Sequence, residues 1–94
     1  MTDEKELFLQ VEDAVRTVLN TEEGEIKMES MFRADLNTES IDFLDITFEI
    51  EKRTGVEMDF PSVLKYMTER KGTDEITDLS IADVVGYISF LKNK

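Results

Sequence analysis

The sequence predicts an all-α fold, a four-helix bundle with a long first loop and an enlarged segment between the second and last helices. Three observations carry that expectation. Four stretches repeat apolar residues at helical spacing. Each is bounded by residues that start or stop helices. The 94 residues include only one proline and four glycines. A chain of this length is read as a single domain, residues 1–94, with 40% apolar residues to form one small core.

The first stretch carries Leu7, Val11, Ala14, Val15, Val18 and Leu19, an i, i+4, i+7, i+8 pattern that puts one apolar face on a helix. Asp3 and Glu6 suit its capped start, and Asn20, Thr21 and Gly24 end it. A long connection from about Glu22 to Glu39 follows. Connections this long are uncommon unless packed or functional, and Ile26, Met28, Met31, Phe32 and Leu36 predict that parts of this one pack on the core.

The second helix is predicted over Ser40–Thr54, stopped by Gly55. At 100° per residue it has two apolar stripes. Phe43, Ile46, Ile50 and Thr54 share one; Ile41, Leu44 and Phe48 form the other, beside an acidic stripe of Asp42, Asp45 and Glu49. A core occupies one apolar stripe, which leaves the other for a partner or ligand. The third helix is predicted over Phe60–Lys71: Asp59 caps it, Pro61 fits its first turn, and Gly72 stops it. Phe60, Val63, Leu64 and Met67 are expected on its buried face. The last helix is predicted over Ser80–Leu91, with Ser80 and Asp83 as a capping box and Ile81, Val84, Val85, Ile88 and Leu91 facing inward.

Composition excludes several chemistries. There is no cysteine, so disulfides, thiolate metal sites and cysteine nucleophiles are out. There is no histidine, the commonest general base and zinc ligand. No catalytic residue and no metal site are expected. The net charge of −11, from 22 acids and 11 bases, repels nucleic acid and favours encounter with basic protein surfaces, besides keeping a small domain soluble. The start lacks the basic and apolar regions of a secretory leader, and no stretch nears the ~20 apolar residues of a membrane span, so a cytoplasmic monomer with no membrane partner is expected.

The informative segment is Asp35-Leu36-Asn37-Thr38-Glu39-Ser40-Ile41-Asp42. Asp35, Asn37 and Glu39 alternate as in a calcium loop, but such a loop needs glycine sixth and glutamate twelfth, where Ser40 and Ile46 stand. Glu39-Ser40-Ile41-Asp42 instead resembles the attachment motif of the acyl carrier protein family: an acid, a serine, an aliphatic residue and an aspartate opening the second helix. Phe32, Asp35 and Leu36 upstream resemble the packed end of that family's long loop. Asp45, Glu49, Glu51 and Gly55-Val56-Glu57-Met58 continue the likeness, as do Leu79, Ile81, Asp83, Val84, Val85, Tyr87 and Ile88.

The resemblance implies an acyl-carrier type bundle with no enzymatic activity. It implies a 4'-phosphopantetheine arm, taken from coenzyme A, on Ser40. It also implies acyl cargo held as a thioester and partner recognition through Glu39, Ile41, Asp42, Leu44, Asp45, Phe48 and Glu49. Its partners would be a phosphopantetheinyl transferase and acyl-loading, elongating or transferring enzymes with basic patches. The chemistry is consistent: a primary hydroxyl is unhindered, and a phosphodiester at a helix N-terminus meets backbone N–H groups and the favourable end of the dipole. An isolated serine at a helix start is more often an N-cap. An amino-acyl or peptidyl carrier of the same fold, and an unmodified acidic adaptor, stay open as rivals.

The sequence departs from the family pattern in places. Glu39 stands for the usual aspartate, Ile41 for leucine, and Asn37 where glycine is common, though asparagine tolerates the same turn conformations. The stretch from about Phe60 to Glu75 looks about a dozen residues longer than usual. Five of the eleven basic residues lie between Lys52 and Lys71, so this stretch reads either as a tolerated insertion or as the mark of a specialised carrier.

Overall fold

A computed structural model describes residues 3–22, 24–72 and 76–93. Within them the chain forms four helices: α1 (Glu4–Leu19), α2 (Ser40–Thr54), α3 (Phe60–Lys71) and α4 (Ile81–Lys92). Among the described residues there is no strand, only an isolated antiparallel bridge between Met31 and Ser80. The fold is the all-α bundle that the periodicity predicts. Residues 73–75 of the enlarged segment lie outside the described residues.

The helix ends follow from their capping residues. Asp3 accepts a hydrogen bond from the Lys5 N–H, and α1 ends at Asn20, whose left-handed backbone (φ 58°) turns its N–H onto the Arg16 carbonyl. At the start of α3 the Asp59 carboxylate accepts from the Ser62 N–H at 2.8 Å. That bond holds the Asp59 carboxyl below the ordinary range. Ser80 and Asp83 form the predicted reciprocal box: Ser80 Oγ accepts from the Asp83 N–H and Asp83 Oδ2 from the Ser80 N–H.

The core is one contiguous cluster. Leu7, Val11 and Val15 of α1 meet Ile46 and Ile50 of α2 and Val84, Val85 and Ile88 of α4, all fully or almost fully buried. α1 packs on both α2 and α4, whereas α3 packs mainly on α4. On α3 the inward residues are Val63 and Met67. Phe60 is 48% exposed and Leu64 only partly buried, so the expected four-residue face is split. The reason is geometric: α2 and α3 do not close on each other, and Phe60 and Leu64, one turn apart, face the gap between them.

Two polar clamps fix the frame. Arg53, near the end of α2, reaches α1: Nε donates to Asp13 Oδ2 at 2.6 Å and Nη2 to Thr17 Oγ1 at 3.1 Å, while Nη1 donates to Glu49 Oε1 at 2.7 Å. The second clamp seats the long connection on the start of α4. The Phe32 N–H donates to the Leu79 carbonyl, the Ile81 N–H to Ser30 and the Ala82 N–H to Met28. Asp78 adds its carboxylate, accepting from the N–H groups of Arg33 and Ala34 at 2.9 and 3.0 Å and from that of Leu79 at 2.8 Å. With Ile26 and Phe32 buried, this connection is packed structure, as its apolar residues predict.

Candidate functional site

The approach to α2 is held residue by residue. Asp35 Oδ2 accepts from the Met31 N–H at 2.7 Å, and the N–H groups of Asp35 and Leu36 both donate to the Met31 carbonyl. Asn37 has φ 53°, the left-handed conformation for which asparagine is suited. The Thr38 N–H donates to the Phe32 carbonyl, which brings the chain to Glu39.

Glu39, not Ser40, is the N-cap. Its backbone is extended (φ −90°, ψ 167°), and Asp42 reaches back to accept from its N–H at 3.2 Å. Ser40 is therefore the first helical residue, its side chain exposed and its hydroxyl bonded to no described residue. The helical ladder opens with the Phe43 N–H on the Glu39 carbonyl, which leaves the N–H groups of Ser40 and Ile41 without an acceptor among the described residues. An unencumbered hydroxyl thus stands beside open donors at the positive end of a four-turn helix.

Ser40 lies on the edge of a groove of about 980 Å³ between α2, α3 and the segment leading into α4. Its floor includes an aromatic chain: Phe32 meets Phe43 edge-on at 5.3 Å, and Phe43 meets Phe60 edge-on at 5.2 Å. Leu44 and Phe48, 52% and 54% exposed, line its α2 wall, and Met58, Leu64 and Ile76 line it from across. Ile41, 66% exposed, is outside the groove, so the second apolar stripe divides into a groove wall and an outward residue. Sequence periodicity misses the residues that reach the groove from afar, Arg33, Ile76 and Thr77, because such neighbours have no local signature.

The acidic stripe divides as well. Asp45 is exposed and in no ion pair among the described residues. Asp42 is partly buried and occupied with the Glu39 N–H. Glu49 is held by Arg53 at 2.7 Å and Lys52 at 3.0 Å. Hydrogen bonds from Arg53 first, and Lys52 second, lower its pKa. Arg53 is in turn raised, by Glu49 first and then Asp13. Much of the charge of Glu49 is thereby neutralised within the molecule.

A family profile described as "Phosphopantetheine attachment site" matches residues 10–70, well over half of the chain. This chain belongs to that family. Curated relatives agree. An acyl carrier protein of Rubrobacter xylanophilus is 25% identical over 76 residues, 81% of this chain and 94% of that protein. One of Thermotoga maritima is 25% identical over 88 residues, 94% of each chain. One of Treponema pallidum is 37% identical over 51 residues, covering 54% of this chain and 65% of that protein.

As a member of the phosphopantetheine attachment family, the chain is a non-catalytic carrier. The family implies a 4'-phosphopantetheine prosthetic group, and with it a transferase and biosynthetic enzymes as partners. The α2 start suits such a group: the two open N–H groups are donors for a phosphate oxygen, and the groove offers apolar surface beside them. Thr38 Oγ1, buried and unpartnered close to Ser40, adds an unsatisfied polar atom to the same stretch. No helix is long and apolar enough to cross a membrane, and no cluster able to hold a metal occurs, among the described residues.

Proposed function

We propose that this chain is an acyl carrier protein. In this reading Ser40 Oγ bears the arm, the arm's thiol holds an acyl group as a thioester, and the chain presents it to fatty-acid, polyketide or related lipid biosynthetic enzymes. The observation that carries the reading is the role split at the α2 start. Glu39 and Asp42 cap the helix, which leaves Ser40 exposed and free of structural duty. A serine kept only for capping would have its hydroxyl on a backbone N–H.

The chain's own residues then have distinct tasks. The N–H groups of Ser40 and Ile41 compensate phosphate charge, and Leu44 and Phe48 shelter apolar cargo or meet a partner. Glu39 and Asp45 steer basic enzymes towards the arm. The reading also places the protein, as one domain, in the cytoplasm.

Intact mass after incubation with coenzyme A and a phosphopantetheinyl transferase tests the proposal. The wild type gains the mass of one arm. Ser40→Ala keeps its helical circular dichroism and gains none. A wild type that stays unmodified leaves the acidic adaptor standing, and a modified Ala variant moves the site elsewhere.

A further inference from the structure

The α2 start is a poor place for a phosphodiester in one respect. The nearest charged side chains in sequence, Glu39 and Asp42, are carboxylates. The groove that Ser40 borders is lined by three more glutamates and aspartates from the α2 and α3 side, Glu51, Glu57 and Asp59, and by Asp78 from across. Among the described residues only one cation lines it: Arg33.

Three features of Arg33 suit it to an anion in this groove. Its backbone is fixed, because its N–H and that of Ala34 are held by Asp78. Its guanidinium is not fixed: its only hydrogen bond among the described residues is a long one, 3.4 Å from Nη1 to the Thr77 carbonyl, near the limit for such a bond. It also makes no ion pair within 4.0 Å among those residues, although Asp78 is close enough to feel its charge. The carboxylate of Asp78 is already turned to three backbone donors. The guanidinium can therefore leave a neutral carbonyl for a phosphate without breaking a salt bridge, and a planar fork suits phosphate oxygens well.

We propose that Arg33 is the side-chain counterion of the phosphodiester on Ser40, and so sets the direction in which the arm leaves α2. The proposal rests on the carrier reading above. In the loaded protein the phosphate shares the α2 N–H groups and the Arg33 guanidinium, which draws the arm towards the groove rather than towards bulk solvent. Salt weakens the pair, since Arg33 is exposed.

The test is nuclear magnetic resonance on apo and arm-loaded protein without cargo, with mass confirming complete loading. Loading should move the Arg33 Nε–H signal of the wild type. At low salt the ³¹P resonance of loaded Arg33→Gln should be displaced from the wild-type position, that of Arg33→Lys less so, and added salt should shrink both displacements. An Arg33 signal indifferent to loading, with one ³¹P position for all three proteins, overturns the proposal and leaves the carrier reading intact. No mass gain in the wild type overturns both. The wild-type Arg33 signal decides the matter even if a variant folds poorly.

Discussion

Asp78→Asn tests the clamp that seats the loop before Ser40. In the native chain one carboxylate serves three N–H donors: Oδ1 those of Arg33 and Leu79, Oδ2 that of Ala34. An amide has one acceptor oxygen, so whichever way it turns, at least one N–H faces an NH₂ group instead. Losing one hydrogen bond to a charged group costs roughly 1.5–3 kcal/mol. Partial exposure of Asp78 places the expected loss at the lower end, about 1.5 kcal/mol, still a sizeable share of the roughly 5–15 kcal/mol of a typical domain. The same contacts predict a pH signature. Burial pushes the Asp78 carboxyl up, but the N–H groups of Arg33, Ala34 and Leu79, with the Arg33 charge, outweigh it and hold it below the ordinary value. Its folded pKa is thus below its unfolded one, near 3.9. The stabilisation is complete above the unfolded value and disappears as pH falls through the folded one. Urea unfolding of both proteins from pH 7 to pH 2 reads the difference. The curves should be separated at pH 7 and converge in acid. A constant separation at all pH values, or none at pH 7, would refute the claim that the ionised carboxylate holds the loop.

Asp45→Lys should slow modification by the transferase, and added salt should slow the wild type, because Asp45 is the acid of the stripe that is exposed and makes no ion pair or hydrogen bond from its side chain among the described residues; equal initial rates would remove it from partner encounter. Glu49→Gln should act mainly on stability, lowering the melting temperature modestly, since it removes the ion pairs that Glu49 makes with the partly buried Arg53 and with Lys52; an unchanged melting temperature would contradict that. Met67→Ala should cost about 2–5 kcal/mol and Leu64→Ala clearly less, because Met67 is buried and Leu64 borders the groove; denaturant midpoints in the reverse order would place α3 in another rotation. Gly86→Ala should stabilise by about 0.4–1 kcal/mol, since Gly86 is inside α4 and, among the described residues, an added Cβ meets only the Tyr66 hydroxyl, at 3.7 Å; a lower melting temperature would contradict that.

Much of the fold was legible because it is local. Pro61 with Asp59 at one end and Gly72 at the other bound α3 where the sequence puts it, and Gly55 stops α2 after Thr54. Asn37 in a left-handed turn is local in the same way. What sequence could not supply is set by distant partners. Nothing near Asp78 announces that it holds Arg33, 45 residues away, and nothing near Arg53 announces Asp13, 40 residues away. The split of the α3 face, with Val63 and Met67 inward as expected but Phe60 and Leu64 not, is hidden for a related reason. Periodicity finds an apolar face but cannot say whether the whole of it meets a neighbour, and here Phe60 and Leu64 meet a groove. At the site, the two apolar stripes of α2 were readable; the neutralisation of Glu49 by Lys52 and Arg53, at i+3 and i+4, also has a local signal, whereas the reach of Arg53 to Asp13 has none.

The grip of residues 78–82 on residues 28–34 has a consequence for the order of events during synthesis. Ser40 leaves the ribosome well before Asp78, Leu79 and the first turn of α4, yet the bonds that fix its approach end on those later residues. Until they emerge, the N–H groups of Phe32, Arg33 and Ala34 have no native acceptor, and the stretch through Thr38 lacks its anchor. The seating of the segment before the attachment motif is therefore completed only when the first turn of α4 docks, although the motif itself is made well before that helix.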